Sequence, residues 1–394
     1  MNKEWKKIED VDLEGKIVFV RVDYNVPLDD DKIVDPTRIE RSLQTLDLLI
    51  NKGAKLILAS HMGRPQGEKN PALSLKPVAE YLTRYANEEV PLICDYIEDS
   101  GAGVKEALKD HRVVILENLR FYPGEKKGDI EFAKTLASFA DIYVNDAFGT
   151  CHRAHASMSG IPKYIPGYPG LLLRNEIENF SRLLDIKDED RPFICLLGGA
   201  KVADKIPIIN HLLECADVIM IGGGMAFTFL KAQGMEVGAS LVNDYFVDEC
   251  NYLIDKAMRR GIDLVLPMDV VVARGVSSPE GINVEVDKIP PDMMGLDIGE
   301  QTQEVYINIL QNSRSIFWNG PMGVFEEEPF KNGTVKIAKA IAESDSFTVI
   351  GGGDSVVVVN ELGLADKFDH ISTGGGASLE LISGVNLPGL AALS

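Results

Sequence analysis

Arginine residues follow or flank the apolar segments in the first half of the chain. They are Arg21, Arg38, Arg64, Arg120 and Arg153. The guanidinium group is a planar fork of N–H donors that matches phosphate and carboxylate oxygens. A single arginine is most simply explained as a surface or ion-pair residue. Several arginines at successive strand ends instead predict a pocket for a small, highly anionic molecule.

Other hydrogen-bonding side chains accompany these arginines. Asp23 and Asn25 follow the first predicted strand, His61 follows the second, and His152 lies in the last of these loops. Imidazole nitrogens donate hydrogen bonds to anions. We therefore interpret His61 and His152 as further ligands of the anion.

Glycine-rich loops follow the predicted strands of the second half. They contain glycine at positions 198–199, 222–224, 320 and 323, 351–353, and 374–376. Because glycine has no side chain, backbone amides in such loops can approach a phosphate at a helix N-terminus. A single loop of this kind is more often a tight turn. Five of them at successive strand ends predict a nucleotide lying across the sheet edge.

Charged residues lie beside the glycine loops. Lys201 and Lys205 could place ammonium groups on transferring phosphoryl oxygens, or could be solvated lysines at a helix start. Asp354 fits both a Mg²⁺-nucleotide site and a helix N-cap, and the sequence leaves these open. Glu326 could accept hydrogen bonds from ribose hydroxyls or be a charge at the rim.

Two common nucleotide motifs are missing. The chain has no G-x-x-x-x-G-K-[ST] pattern, and no intact G-x-G-x-x-G opens the first strand–helix unit of either half. These patterns are typical of P-loop and dinucleotide-binding proteins. Both of these classes are therefore disfavoured.

Apolar segments rich in β-branched residues alternate with amphipathic segments along the chain. The predicted strands are 17–22, 56–59, 113–116, 142–144, 193–197, 218–221, 264–266, 315–318, 347–350 and 370–372. The predicted helices include 37–52, 75–85, 130–139, 244–260 and 332–343. Continuous apolar runs are typical of strands covered on both faces, as in parallel sheets. The pattern predicts an α/β protein with doubly wound, mainly parallel-sheet (Rossmann-like) domains.

The texture of the sequence changes near the middle. Residues 161–170 are rich in proline, glycine and tyrosine, and a helical pattern covers 171–184. We interpret this helix as a connector between two halves. The predicted domains are residues 1–170 and residues 171–379.

Length and charge exclude several classes of protein. The chain has 394 residues, 45% of them hydrophobic, and a formal charge of −20. This composition excludes a disordered chain and a small disulfide-stapled domain, and the length predicts two or three domains. The negative charge disfavours nucleic acid and anionic membranes as partners.

Cysteine usage and hydropathy bear on the compartment. The five cysteines are far apart and odd in number, which is typical of free thiols in a reducing compartment. No apolar leader follows the basic start, and no stretch approaches the roughly 18 to 20 apolar residues of a membrane span. The sequence therefore predicts a cytoplasmic protein.

Taken together, the motifs of the chain resemble those of the phosphoglycerate kinase family. They are 21–27 (RVDYNVP), 60–65 (SHMGRP), 117–121 (ENLRF), 152–157 (HRAHAS), 198–205 (GGAKVADK), 222–226 (GGGMA), 320–326 (GPMGVFE), 351–355 (GGGDS) and 373–378 (TGGGAS). They occur in the order of the family and span nearly the whole chain, so the resemblance is highly specific.

The resemblance implies an activity and a division of labour. It implies reversible phosphoryl transfer in glycolysis between 1,3-bisphosphoglycerate and Mg-ADP, giving 3-phosphoglycerate and Mg-ATP. The N-terminal domain would bind phosphoglycerate, with residues 380–394 packing back on it, and the C-terminal domain would bind the nucleotide. A hinge would close the two domains on both substrates, and the enzyme would be a monomer.

The resemblance also implies site residues. The phosphoglycerate ligands would be Asp23, Asn25, Arg38, His61, Arg64, Arg120 and Arg153. The nucleotide ligands would be Lys201, Lys205, Gly295, Glu326, Gly352, Gly353, Asp354 and Ser355. Asp354 would serve Mg²⁺ bound with ADP or ATP, and Arg38 and Lys201 would be catalytic, facing the transferred phosphoryl group.

Two segments depart from the pattern of the family. Glu300 and Gln301 stand before Thr302 where the family usually has proline after the preceding glycine. The departure leaves the shape of the loop on the adenine side open. Residues 171–176 also differ from the usual sequence, so contacts of the connector are not carried over.

Two other functions remain as alternatives. One is an NAD(P)-dependent dehydrogenase whose arginines hold a substrate carboxylate, which the missing fingerprint disfavours. The other is a two-domain anion-binding protein of the periplasmic kind, which the missing leader disfavours.

Overall fold

The computed structural model describes residues 5–393 and divides into two compact units. Unit 1 runs up to Ile177 and resumes at Asn386, and unit 2 comprises Glu178–Val385. The sequence predicts boundaries at 170/171 and 379/380, whereas these units divide at 177/178 and 385/386. The first residues of the connector helix therefore belong to unit 1. Among residues 5–393, no helix combines the length and apolarity that a membrane crossing demands.

Unit 1 contains a six-stranded sheet in the order β5-β6-β4-β1-β7-β8, and each adjacent pair is parallel. The strands of the unit are β1 Ile17–Val22, β2 Leu28–Asp29, β3 Lys32–Ile33, β4 Lys55–Ala59, β5 Leu92–Ile93, β6 Val113–Leu116, β7 Ile142–Asp146 and β8 Gly167–Pro169. Strands β2 and β3 form a separate antiparallel hairpin. Val18, Phe19 and Val20 in the central strand β1 are fully buried, because helices cover both faces of the sheet.

Helices surround this sheet. They are α1 Thr37–Glu40, α2 Leu43–Asn51, α3 Lys76–Ala86, α4 Ala102–Asp110, α5 Pro123–Lys127, α6 Ile130–Ala137 and α7 Leu171–Leu184. The α7 bounds match the connector helix that the sequence predicts.

Unit 2 contains a second six-stranded parallel sheet, in the order β11-β10-β9-β15-β16-β17. The strands of the unit are β9 Phe193–Leu197, β10 Val218–Ile221, β11 Asp263–Val265, β12 Asp269–Ala273, β13 Ile282–Glu285, β14 Met294–Ile298, β15 Ser315–Asn319, β16 Phe347–Ile350 and β17 His370–Ile371. Its helices are α8 Val202–Leu212, α9 Ala226–Ala232, α10 Val247–Arg260, α11 Glu300–Gln311, α12 Asn332–Ala342, α13 Gly353–Glu361 and α14 Gly376–Ile382. The two parallel sheets confirm the predicted fold class.

The last helix, α15 Pro388–Ala391, belongs to unit 1. The amide of Gly389 donates to the carbonyl of Cys151 at 2.9 Å, and its carbonyl accepts from Asn145 Nδ2 at 3.3 Å. These bonds attach the returning chain to the end of β7 and to the loop that follows it.

A three-stranded antiparallel sheet, in the order β13-β12-β14, is absent from the sequence prediction. Strand β12 is almost wholly buried, whereas β13 is mostly exposed at the sheet edge. Short strands with such different burial share no common hydrophobic period, so the pattern did not reveal them. The sheet matters because β14 carries Gly295, a residue of the expected nucleotide site.

Candidate active site

The strand ends of unit 1 bring the predicted phosphoglycerate ligands together. Arg38 Nη1, on α1, donates a hydrogen bond to Asp23 Oδ2 at 2.7 Å, just beyond β1. His61 follows β4, and its Nδ1 lies 3.6 Å from Asp23 Oδ1. Parallel strands place these loops on one edge of the sheet, which is where ligands bind in open α/β folds.

Two hydrogen bonds between side chains and the backbone of Gly63 hold the loop after β4 in place. The amide of Gly63 donates to Asn25 Oδ1 at 2.9 Å. The carbonyl of Gly63 accepts from Arg120 Nη1 at 2.6 Å. Arg64 is the next residue and is exposed. The loop therefore gathers Asn25, Arg64 and Arg120 around one peptide.

The electrostatics of this cluster favour an anion. His61 is 3% exposed, and burial, together with the charges of Arg21, Arg120, Arg153 and Arg38, holds its pKa well below the ordinary value. His61 is therefore neutral at pH 7 and can donate a hydrogen bond without adding charge. The positive charge of the cluster comes from the guanidinium groups alone.

The arginines also repel one another. Burial, together with the charges of Arg153 and Arg21, lowers the pKa of Arg120 to about 10. Arg120 stays cationic at neutral pH. An anion between these groups would relieve the repulsion, so the electrostatics of the cluster are suited to negative charge.

His152 supports Arg153. Arg153 Nε donates to His152 Nε2 at 3.1 Å, so this ring nitrogen is an acceptor. Burial and the neighbouring Arg153 charge lower the pKa of His152. One ring nitrogen of His152 therefore holds Arg153 in place, whereas the sequence predicts that His152 binds the anion.

Arg21 differs from the expectation that it lines the anion pocket. Its side chain is 0% exposed. Its Nε donates to Ser157 Oγ at 2.9 Å, its Nη1 to the carbonyl of Val22, and its Nη2 lies 3.4 Å from His61 Nδ1. Arg21 lies behind the side chains predicted as ligands, because β1 is in the middle of the sheet and its last residues are buried.

In unit 2, several of the predicted glycines serve loop packing. The amide of Gly199 donates to the carbonyl of Pro321 at 2.8 Å, and that of Gly223 donates to the carbonyl of Met322 at 3.0 Å. A Cβ atom on Gly198 would lie 2.1 Å from the Pro321 oxygen. The loops after β9, β10 and β15 therefore stack backbone against backbone, which a side chain at Gly198 would prevent.

The loop after β16 leaves open space for a ligand. Gly352 has a φ of +96°, and a Cβ on Gly353 would meet nothing within 4 Å. Asp354 is exposed in the first turn of α13. Ser355 is fully buried, and its Oγ accepts from the amide of Gly320 at 2.7 Å. Ser355 thus joins two glycine loops through its side chain.

The two predicted lysines have different environments. Lys205 is 8% exposed, and burial lowers its pKa to about 8, while Asp204 and Asp354 act in the opposite direction. The charge interaction places Lys205 near Asp354. Lys201 directly precedes α8 in an extended conformation and is exposed.

Gly295 and Glu326 lie on neighbouring segments. Gly295 is in β14, where its amide donates to Ser240 Oγ at 2.9 Å and the ring of Phe227 fills the space of a Cβ. The amide of Val324 donates to the carbonyl of Leu296 at 2.8 Å, which attaches the loop of Glu326 to β14. Glu326 itself is exposed.

Asp297 is a residue of this region that sequence reasoning missed. Its Oδ2 accepts from the amide of Gly333 at 2.7 Å, and a Cβ on Gly323 would lie 2.3 Å from Oδ1. Burial raises the pKa of Asp297 to about 7. The signal in the sequence is an aspartate between the apolar residues of 294–298, a segment that the pattern does not predict as a strand.

The donor set of unit 2 fits a magnesium ion carried by a nucleotide. Within residues 5–393, no group of three or more His, Cys, Asp or Glu side chains could hold a metal ion. Mg²⁺ is commonly held by one or two carboxylates plus substrate phosphates. Asp354, exposed beside the open Gly353, offers one such carboxylate.

These features define a class of protein. One α/β unit has a basic cluster at the edge of its parallel sheet, and the other has stacked glycine loops at the edge of its own. Both features are typical of a phosphotransferase. The phosphoglycerate kinase family model matches residues 8–385. The chain belongs to the phosphoglycerate kinase family.

Individual relatives cover the full chain. It is 47% identical over 398 residues to the phosphoglycerate kinase of Clostridium botulinum strain Hall, with 100% of both chains covered. It is 48% identical, with the same coverage, to that of the Langeland strain.

Solved structures agree with this relationship. The phosphoglycerate kinase of Coxiella burnetii has a TM-score of 0.90 and 36% identity, covering 99% of this chain and 98% of that one. The Pyrococcus horikoshii OT3 enzyme has a TM-score of 0.82 and 35% identity, with 98% of each chain covered.

The activity follows from the family. The chain is a transferase of glycolysis that moves a phosphoryl group reversibly between 1,3-bisphosphoglycerate and ADP. It is an ATP/ADP-dependent kinase that acts on small-molecule substrates.

The departure at Glu300 has a structural explanation. The amide of Glu300 donates to Asn283 Oδ1 at 3.2 Å, and that of Gln301 donates to Asp269 Oδ2 at 3.1 Å. Helix α11 therefore begins at Glu300 with its first amides satisfied by side chains. Asn283 supplies an acceptor that a proline at position 300 would not use.

We expect Glu300→Pro to change the free energy of unfolding by less than about 1 kcal/mol. Gly299 has a φ of −77° and a ψ of 177°, the extended conformation required before proline. Proline is also favoured at a first helical position. The substitution removes the hydrogen bond from the Glu300 amide to Asn283 Oδ1.

Urea unfolding measures this change. The control is Glu304→Pro, an exposed position inside α11, which we expect to cost about 3 kcal/mol or more. A loss for Glu300→Pro as large as that for Glu304→Pro would contradict the assigned start of the helix.

Proposed function

We propose that unit 1 binds 3-phosphoglycerate or 1,3-bisphosphoglycerate at the edge of its parallel sheet. The ligands are Asp23, Asn25, Arg38, His61, Arg64, Arg120 and Arg153. The observation that carries the proposal is the group of guanidinium charges around the buried, neutral His61. In a chain of net charge −20, only a local excess of positive charge can attract a molecule with phosphate and carboxylate groups.

We propose that unit 2 binds Mg-ADP or Mg-ATP. The ligands are Lys201, Lys205, Gly295, Glu326, Gly352, Gly353, Asp354 and Ser355. The open space beside Gly353 at the start of α13, where a Cβ would meet nothing within 4 Å, and the nearby Lys205 suit phosphate oxygens. Asp354 holds Mg²⁺, largely through the nucleotide, and the ion screens phosphate charge when bound. Ser355 contributes by fixing the loop against Gly320.

The chemistry of the acceptor explains why a catalytic base is not required. In the direction that consumes ATP, the acceptor is a carboxylate with a pKa of roughly 3.5 to 4, already ionised at neutral pH. Transfer then depends on in-line placement and on neutralising charge over the equatorial oxygens. Arg38 and Lys201 supply this neutralising charge in the proposal.

The cytoplasm is the compartment that we propose for the enzyme. All five cysteines are free thiols, which supports a reducing environment. Cell fractionation checks the proposal, and kinase activity recovered mainly outside the cytoplasmic fraction would contradict it.

Titration calorimetry tests the division of ligands. We expect Arg64→Ala to weaken 3-phosphoglycerate binding at least about tenfold, because it removes a charge-assisted hydrogen bond, and to leave Mg-ADP binding unchanged. We expect Asp354→Ala to weaken Mg-ADP binding and to leave 3-phosphoglycerate binding unchanged. The loss in Asp354→Ala is expected to shrink when magnesium is removed with EDTA.

The matched control is Arg112→Ala. Arg112 lies in unit 1 and pairs with Glu88 on the exposed surface, so its removal is expected to affect neither ligand. An Arg64→Ala enzyme that binds 3-phosphoglycerate normally, or that loses Mg-ADP instead, would overturn the assignment.

A further inference from the structure

A fully buried carboxylate lies behind the arginine cluster of unit 1. Glu125, on α5, is 0% exposed, and it is not among the residues proposed to touch either substrate. An ionised carboxylate without partners in the interior is strongly unfavourable. Its contacts therefore have to account for its presence.

Glu125 is bound on both oxygens by Ser157. Oε1 accepts from Ser157 Oγ at 2.6 Å, and Oε2 accepts from the Ser157 amide at 2.9 Å. His155 Nδ1 lies 3.6 Å from Oε1. Burial would raise the pKa of Glu125, but His155, Arg21 and Ser157 together bring it below the ordinary value. Glu125 is therefore a carboxylate at neutral pH.

Ser157 links Glu125 to Arg21 through its hydroxyl group. A hydroxyl has one hydrogen to donate, and Ser157 donates it to Glu125. The Oγ atom accepts from Arg21 Nε at 2.9 Å. The direction of both hydrogen bonds is thus determined, and the guanidinium group is held by the carboxylate through one hydroxyl.

Arg21 in turn determines the state of His61. Arg21 Nη2 lies 3.4 Å from His61 Nδ1 and can only donate. Nδ1 must then be the acceptor, and the proton of the neutral ring is on Nε2. The opposite tautomer would point an N–H of His61 at an N–H of Arg21. Only an acceptor close to Nδ1 would favour the opposite tautomer. Asp23 Oδ1 lies 3.6 Å from Nδ1, which is too far for a normal hydrogen bond.

We propose that Glu125 is a positioning residue for phosphoglycerate binding, which acts through Ser157 and Arg21 to hold His61 as the tautomer that donates from Nε2. The inference rests on the proposed role of unit 1. It gives Arg21, a fully buried arginine that cannot touch the substrate, a task in the reaction. It also distinguishes Arg21, which supports the site from behind, from the arginines that are proposed to bind the substrate.

The first test uses Glu125→Gln, which keeps the size of the side chain and removes its charge. Calorimetry is expected to show binding of 3-phosphoglycerate about tenfold weaker, with Mg-ADP binding unchanged. Nitrogen NMR of labelled histidine, with the His61 signals identified in a His61→Gln sample, is expected to show a loss of the single Nε2–H form. The control is Glu131→Gln on α6, an exposed residue paired with Lys134, which is expected to change neither measurement.

A second variant guards against a folding defect. Ser157→Ala keeps Glu125 and removes only the hydroxyl between it and Arg21, and it is expected to show the same changes in affinity and in the His61 signals. A purely structural role would lower thermal stability in both variants and leave the His61 signals as they are in the wild type. That result, or wild-type affinity for 3-phosphoglycerate in the folded variants, would overturn the proposal.

Arg120→Ala distinguishes this failure from failure of the proposed function. If Arg120→Ala weakens 3-phosphoglycerate binding while Glu125→Gln and Ser157→Ala do not, only the positioning role is wrong. If Arg120→Ala also binds normally, the anion site itself is misplaced.

Discussion

Replacing Arg38 by alanine is expected to lower kcat by about 100- to 1,000-fold, the range measured when one transition-state donor is removed from an enzyme. Arg38 Nη1 is 2.7 Å from Asp23 Oδ2, which aims the guanidinium fork from α1 toward the end of β1. Its side chain is 37% exposed, so part of the fork remains free for a substrate oxygen. Charge develops on the equatorial oxygens during transfer, so the loss is expected mainly in kcat and less in KM.

The fold of the Arg38→Ala enzyme is expected to survive. Partly exposed ion pairs such as Arg38–Asp23 contribute about 0 to 1 kcal/mol, so the free energy of unfolding changes little. Arg38→Lys keeps the charge but loses the planar fork, and a partial recovery of kcat is expected. Arg84→Ala, on α3 of the same unit, is the control for loss of a surface arginine. Wild-type turnover in Arg38→Ala, measured in a coupled ADP/ATP assay, would remove Arg38 from the reaction.

Replacing Lys201 by alanine is the second variant with a large expected loss, again about 100- to 1,000-fold in kcat. Lys201 directly precedes α8, at the end of the helix where the dipole is positive and a cation is unfavourable. A lysine at this place does not serve the stability of the helix. Its exposed ammonium group beside the loop of Gly199 is suited to a phosphoryl oxygen.

This argument gives the Lys201→Ala experiment two readouts. Thermal unfolding is expected at the wild-type temperature or slightly above it, because an unfavourable charge is removed from a helix start. Turnover is expected to fall. The control is Lys288→Ala, which breaks an exposed pair with Glu285 in the same unit. A destabilised Lys201→Ala enzyme with normal kcat would show that the lysine is structural.

The sequence alone predicted the parallel framework and the order of its loops. The segments 17–22, 113–116, 193–197, 218–221 and 347–350 are strands with the predicted bounds, and α7 spans Leu171–Leu184 as predicted. These elements follow from local properties, namely continuous apolar runs for strands buried on both faces and helical spacing for the connector. The positions of Arg38, Arg120 and Arg153 relative to the strands were predictable for the same reason.

Only the tertiary structure shows which of these residues are accessible and which are buried among other protein groups. Arg21 lies near the end of β1 and Arg120 follows β6, and both are buried, yet Arg21 binds Ser157, 136 positions away, whereas Arg120 binds the carbonyl of Gly63. Gly198 packs against Pro321, in the loops after β9 and β15, and Glu125 on α5 binds Ser157, although the partners in each pair are distant in the chain. Hydrophobic period reports which face of a strand is buried, but the partner of a buried polar group depends on strand order, which local pattern does not contain.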